Sequence, residues 1–112
     1  MGDIIYLSLR GYQNADSAIQ FVYEAESVIQ HTENARILLD CSDFKGMSES
    51  AKGIFAVLMI QNKPYVLREA IICLSEETRQ LFKELVQMAE RYDARIFDDK
   101  KTAVAWLSQD NQ

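Results

Sequence analysis

ARILLDCSDFKGMSESAKG, residues 35–53, decides how the chain is read. Its apolar run, Ile37 to Cys41, has apolar side chains on both parities, the pattern of a strand buried on two faces of a parallel sheet. A short polar turn follows. Ser48, Glu49 and Ser50 then crowd a helix start, with Ser as N-cap and acid set against the helix dipole. A strand that feeds a helix N-terminus leaves a rim of outward-facing backbone N–H groups, the kind of rim that holds anions and partners.

The rest of the chain repeats this alternation. Ile4 to Arg10 sets Ile5, Leu7 and Leu9 against Tyr6, Ser8 and Arg10, the period of a strand wet on one face. Gly11 permits a turn, and Asn14 or Asp16 caps a helix on which Ala18, Val22, Ala25 and Ile29 recur, joined by Ile19 and Phe21. Asn34 is the expected stop. The second helix runs through Ile54, Phe55, Leu58 and Met59 and ends by Pro64, which lacks a backbone donor. Ala70 to Leu74 is the third strand. Ser75, Glu76 and Glu77 start a third helix with the stripe Leu81, Phe82, Leu85, Met88, Ala89 and Tyr92. Arg95 to Phe97 is a short fourth strand, and Asp98 or Asp99 caps a last helix with Ala103, Trp106 and Leu107 facing inward.

This predicts an α/β fold: one domain over residues 1–112, with four sequential βα units and a mostly parallel four-stranded sheet in the order one-two-three-four. Right-handed crossovers in that order put the helices mainly on one face. At 112 residues the chain is long enough to bury roughly two-thirds of its unfolded surface. A formal charge of −5 argues against nucleic acid, which needs clustered Lys and Arg. The longest apolar run, Ile54 to Ile60, falls far short of the ~20 residues of a membrane span. With Asp3 in place of a basic region and no apolar leader, a cytoplasmic protein of bacterial type is expected.

Four stretches resemble the STAS domain, the SpoIIAA-like fold of anti-sigma-factor antagonists. IIYLSLRGYQNADSA resembles its strand, glycine and first helix start. LLDCSDFKGMSES resembles its strand, Asp-x-Ser, turn and Asp-Ser-Ser-Gly segment. LREAIICLSEETRQLF and RIFDDKKTAVAWL resemble the units that follow. NKPYV, residues 62–66, and the terminal AWL are closer to small stand-alone SpoIIAA-like bacterial proteins than to sporulation regulators. The likeness runs from about Ile4 to Leu107. It implies a non-catalytic regulatory module that binds a protein partner, an anti-sigma-factor-like kinase or another regulator. The family is switched by phosphorylating the first Ser of Asp-Ser-Ser-Gly. Counted from Asp40, this chain reads Ser48-Glu49-Ser50-Ala51 there, so the acceptor position holds Glu49, and a module without the usual serine switch is expected. The strand that precedes the family's glycine-ended strand is also expected to be missing.

The candidate partner-binding residues are therefore Asp40, Ser42, Ser48, Glu49 and Ser50, with Ser48 and Ser50 as the remaining phosphorylation candidates. Each has a plainer reading. Ser48 or Ser50 caps a helix, Glu49 meets a dipole, and Asp40 and Ser42 bond the turn backbone. The alternative function is small apolar-ligand or lipid binding, since stand-alone SpoIIAA-like proteins also resemble the CRAL-TRIO lipid-binding architecture. The wet face carrying Tyr6, with Phe55, Leu58 and Met59, would then enclose the ligand. The discriminating feature is a cavity well above the size of a few waters.

Other chemistry-bearing residues have structural readings. Cys41 and Cys73 are expected as buried reduced thiols on adjacent strands, where disulfide geometry is rare. His31 is alone, without ligand spacing, so no metal site is expected; no cofactor motif is present either. Asp98 and Asp99 suit a cap. Arg91, Arg95, Lys100 and Lys101 read as solvated charge. Ile54, Val57, Leu58, Met59 and Ile60 spread round more than one helical face. Either that helix is buried on two sides, or part of it meets a ligand or a second subunit; an open sheet face is the other route to a homodimer.

Overall fold

The computed structural model describes residues 3–109. The strands are β1 (Ile4–Ser8), β2 (Gly11–Gln13), β3 (Ala35–Asp40), β4 (Phe44–Met47), β5 (Val66–Ile72) and β6 (Ala94–Phe97). The helices are α1 (Ala15–Ile29), α2 (Glu49–Asn62), α3 (Glu76–Met88) and α4 (Lys100–Leu107). β1, β3, β5 and β6 form a four-stranded sheet in that order, every pair parallel. This is the sequential order that the alternation predicts.

Each helix starts where a short polar side chain takes over an orphan backbone N–H. Asn14 and Ser17 form a reciprocal capping box, with Ser17 N–H donating to Asn14 Oδ1 at 2.9 Å. Ser48, Ser75 and Asp99 accept from Ala51, Thr78 and Thr102 in the same way. Pro64 sits in the one-turn helix Lys63–Tyr65 that closes α2.

β3 has all five residues from Ala35 to Leu39 buried. Ile37 and Leu39 face one layer, formed by α1, α2 and α3. Leu38, with Ala70 and Ile72 of β5, faces the other, formed by α4 through Ala103 and Leu107. Three helices share one face because each belongs to a right-handed crossover in a sequential sheet. α4 follows the last strand and closes no crossover, so it is free to cover the opposite side. Two arginines hold it there. Arg36 Nη1 donates to the carbonyls of Leu107 and Gln109, and Arg68 Nη1 donates to Trp106 O at 2.7 Å and Gln109 O at 3.2 Å. They satisfy helix-end acceptors with positive charge at the negative end of the dipole. The guanidinium groups of Arg68 and Arg95 also lie over the Trp106 ring.

The structure corrects several expectations. Gly11 and the segment after Cys41 are not turns alone, because β2 and β4 pair in a second, two-stranded parallel sheet. Gly11 and Gly46 have φ of +69° and +119°, the left-handed side that glycine reaches without strain. β5 starts at Val66, not at Ala70, and brings Arg68 and Glu69 into the sheet. Ile19, Met88 and Tyr92 are exposed instead of packed.

Arg91 is not solvated: its side chain is 1% exposed. It donates from Nη2 to Glu69 Oε1 and Asp93 Oδ2, both at 2.7 Å, from Nε to Asp93 Oδ1 at 2.8 Å, and from Nη1 to Met59 O at 3.0 Å. One guanidinium thus ties the end of α2, the middle of β5 and the loop into β6. Burial pushes the Glu69 carboxyl above its ordinary value, and Arg91 pulls it part of the way back. Burial alone would lower Arg91, but its bonds to Asp93 and Glu69 outweigh that, so it stays charged.

Two outcomes follow in denaturant unfolding. Arg91→Met should lose about 3–5 kcal/mol, because it strands two carboxylates. Glu69→Gln should stay near wild type. A carboxyl with a raised folded pKa binds its proton more tightly in the native state. Wild type therefore loses stability as pH rises from the ordinary carboxyl range through the folded pKa, and Glu69→Gln should flatten that slope.

Candidate functional site

β3 ends at Asp40 and α2 begins at Glu49, and the eight residues between form a lip at the carboxyl edge of the sheet. Cys41, Phe44 and Ala51 are buried and anchor it. Ser42, Asp43, Lys45, Glu49 and Ser50 are exposed. β4 runs through the lip and is pinned to β2, with Gly11 N–H donating to Asp43 O and Ser48 N–H donating to Gln13 O, both at 2.9 Å.

Of the five residues named from sequence, Ser42 and Ser48 lie on this lip and Asp40, Glu49 and Ser50 flank it, and their side chains do two kinds of work. Asp40 Oδ1 accepts from Ser42 N–H at 2.9 Å and from the Ser42 hydroxyl, which fixes the first turn. The hydroxyl bond leads the effects that hold the Asp40 carboxyl below its ordinary value; the backbone bond, Lys100 and Arg10 add to it against partial burial. Ser48 Oγ accepts from Ala51 N–H at 3.1 Å and is the N-cap. Glu49 and Ser50 sit in the first turn and point outward. Glu49 thus lies where a negative charge is favoured by the helix dipole.

Beside the lip, between β4 and the start of α3, runs an open groove of about 430 Å³ lined by Lys45, Gly46, Met47, Ser75, Glu77 and Thr78. The groove was not foreseen, because it depends on β4, a four-residue strand with no readable period. The edge around it carries charge of both signs: Asp43, Glu49, Glu76, Glu77, Asp98 and Asp99 are exposed there or on the loops beside it, interleaved with Arg10, Lys45, Lys100 and Lys101. Asp99 is held below its ordinary value by Thr102, whose backbone N–H and hydroxyl both donate to it.

This arrangement is that of a known family, whose pattern, SpoIIAA-like, matches residues 4–108. The chain belongs to the SpoIIAA-like family. Its fold is similar to the crystal structure of an uncharacterized DUF3478-family protein with a SpoIIAA-like fold from Shewanella loihica PV-4. The TM-score is 0.73 at 21% identity, covering 91% of this chain and 82% of that one. No match is found among curated proteins.

The other candidate residues lie away from the lip. Tyr6 is not brought together with Phe55, Leu58 and Met59. The two-residue period of β1 turns Tyr6 to the α4 side, with Lys100 Nζ 5.3 Å from its ring centre, while Leu7 turns toward α2. Phe55, Leu58 and Met59 do line a cavity, together with Asn62, Glu69 and Arg91, but it holds about 30 Å³, room for a single water. α2 is buried between its neighbours through Phe55, Ala56, Leu58 and Met59, and leaves Val57 and Ile60 exposed.

Cys41 and Cys73 are free, buried and adjacent, with Cys41 N–H donating to Ile72 O. A hydrogen bond with Cys73, with burial added, pushes the Cys41 thiol up. His31 is exposed, and its Nδ1 lies 2.8 Å from Ser27 O, which suits an Nδ1–H donor bonding a free carbonyl at the helix end. No group of His, Cys, Asp and Glu suited to a metal occurs among the described residues. No described helix is long and apolar enough to cross a membrane.

Ser48→Ala should cost about 1 kcal/mol in urea unfolding, the ordinary loss of an N-cap. Asp40 has a depressed folded pKa, so its contribution is present above the ordinary carboxyl range and is lost as pH falls through the folded value. Asp40→Asn should therefore remove part of the acid-side loss of stability. An unchanged acid limb in a pH series of unfolding curves would refute that role.

Proposed function

We propose that the chain is a non-catalytic, cytoplasmic regulatory module of the anti-sigma-factor-antagonist type, which docks a protein partner on the lip between β3 and α2. The observation that carries this reading is the split of the lip into buried anchors and outward groups. Cys41, Phe44 and Ala51 fix its path, and Ser42, Asp43, Lys45, Glu49 and Ser50 are presented on it. A surface held in one conformation loses little entropy when it binds.

The chemistry of the lip also supports docking over turnover. The Asp40, Ser48, Ser75 and Asp99 side chains are engaged in turns and caps, so their lone pairs and protons serve the backbone. The exposed carboxylates Asp43 and Glu49 favour basic groups at the matching points of a partner. Glu49 gives the docking centre a fixed single negative charge, where a phosphoserine would carry nearly two. The lip then works as a permanent ligand for its partner instead of a switched one. The apolar-ligand reading receives less support, since the cavity beneath α2 has room for one water and none for an acyl chain.

Affinity capture from native lysate of the source organism, with the chain as bait, tests the docking surface. Glu49→Lys and Asp43→Lys baits should lose a protein that wild type retains, and an identical catch from all three would move the site elsewhere. Incubation with cell extract and ATP followed by mass spectrometry should leave residues 48–50 unmodified. Phosphate on Ser48 or Ser50 would restore the serine switch.

A further inference from the structure

The sheet has two edges, and they are finished differently. β6 carries Arg95 and follows directly on Asp93 and the buried Arg91 cluster. Charge on an edge strand is the ordinary guard against pairing with another chain. β1 reads Ile-Ile-Tyr-Leu-Ser, with no charge, proline or glycine. Among the described residues its only neighbour in the sheet is β3.

The side chains of β1 are also incompletely covered. Ile4, Ile5 and Leu7 are half-buried and Tyr6 is 56% exposed, whereas every residue of β3 from Ala35 to Leu39 is buried. α4 packs mainly on β3, β5 and β6, and over Tyr6 it supplies only the Lys100 side chain, which leaves that ring 56% exposed. On the other face, α1 belongs to the crossover between β1 and β3 and so lies inward of the edge.

The backbone direction is fixed as well. Leu9 N–H donates to Asp40 O across the β1–β3 boundary at 3.0 Å. In a parallel ladder the N–H and C=O of one residue point to the same neighbour, and the next residue points away. Ile5, Leu7 and Leu9 therefore bond β3, and Ile4, Tyr6 and Ser8 aim their backbone groups outward.

We propose that the chain pairs with a second copy of itself along β1, antiparallel, with Tyr6 on the two-fold axis. In that register Tyr6 faces Tyr6 of the other copy, and Ile4 faces Ser8. All are outward-pointing residues, so each opposed pair exchanges two backbone hydrogen bonds. The Tyr6 rings meet on the α4 side, and Ile5 meets Leu7 on the α1 side, which completes their burial. Antiparallel pairing also runs the Asp3 end of one strand beside the Arg10 end of the other; parallel pairing would set like charge beside like. The interface is isologous and closes as a dimer. It lies on a different edge from the lip and does not depend on the docking reading.

Sedimentation velocity of the full chain from about 1 μM to about 1 mM tests this, a range set by the short edge and the weak affinity of small interfaces. Wild type should dimerise as concentration rises. Tyr6→Lys should raise the dimer Kd at least about tenfold, because it sets two ammonium groups face to face on the axis. Its thermal unfolding at low concentration should stay close to wild type, since Tyr6 is exposed and the change costs only its contact with Lys100. Val57→Lys, on the outer face of α2, and Glu49→Lys, on the lip, should dimerise as wild type does. A chain that stays monomeric at about 1 mM overturns the proposal. So does a dimer that survives Tyr6→Lys, or one lost only in Val57→Lys, which would place the contact on α2. Amide hydrogen exchange supplies a test free of substitution. Protection of Ile4, Tyr6 and Ser8 amides should grow with concentration, and flat exchange at those three amides would count against the pairing.

Discussion

The constraint that governs this fold is that β3 is apolar on both faces. A strand with Ile37 and Leu39 on one side and Leu38 on the other is stable only between two layers. Sequential right-handed crossovers supply one layer and can supply no more. The second must come from the element after the last strand, and α4 is only Lys100–Leu107. A helix that short is marginal by itself. Arg36 and Arg68 provide what it lacks, by reaching up from the sheet to its terminal carbonyls. The polar residues of the strands that face α4 are thus as much a part of the second layer as Leu38, Ala70 and Ile72.

The same strand places the lip. β3 hands its last residue, Asp40, to a turn that Asp40 itself orders, and β4 then leans on β2 before Ser48 opens α2. The exposed residues of the lip are therefore carried by three independent restraints: a side-chain turn, a miniature sheet and a helix cap. Acids and bases are interleaved along this edge, Asp43 and Glu49 with Lys45, and Asp98 and Asp99 with Lys100 and Lys101.

Much of this was legible in the sequence because it is local. Asn14 or Asp16, Ser48 or Ser50, Ser75, and Asp98 or Asp99 announce helices through spacing of a few residues, and the alternation of β1 and the doubled apolar pattern of β3 announce strands. The one-two-three-four order followed from short connections. What escaped was non-local. Arg68 and Glu69 fell outside the strand expected from Ala70, because the groups that justify charge in β5 lie on α4 and at Arg91, far along the chain. Arg91 looked solvated for the same reason. β2 and β4 are too short for a period to show. The place of α4 was free because no crossover rule reaches it. At the candidate site, the turn and cap roles of Asp40, Ser42 and Ser48 were readable, whereas the groove beside β4 needed the fold. Tyr6 was grouped with the residues of α2 because composition cannot show which side of a sheet a strand residue faces.

Arg91 and α4 both come late in the chain. During synthesis, Glu69 leaves the ribosome before its counter-ion has been made, and Leu38, Ala70 and Ile72 emerge before the helix that covers them. The first three βα units can collapse onto one face but must wait, with the other face greasy and one acid unpaired, until the final segment is out. Vectorial folding of this chain is therefore gated at its far end, and ribosome-bound intermediates stalled before residue 91 are the species that chaperones would have reason to hold.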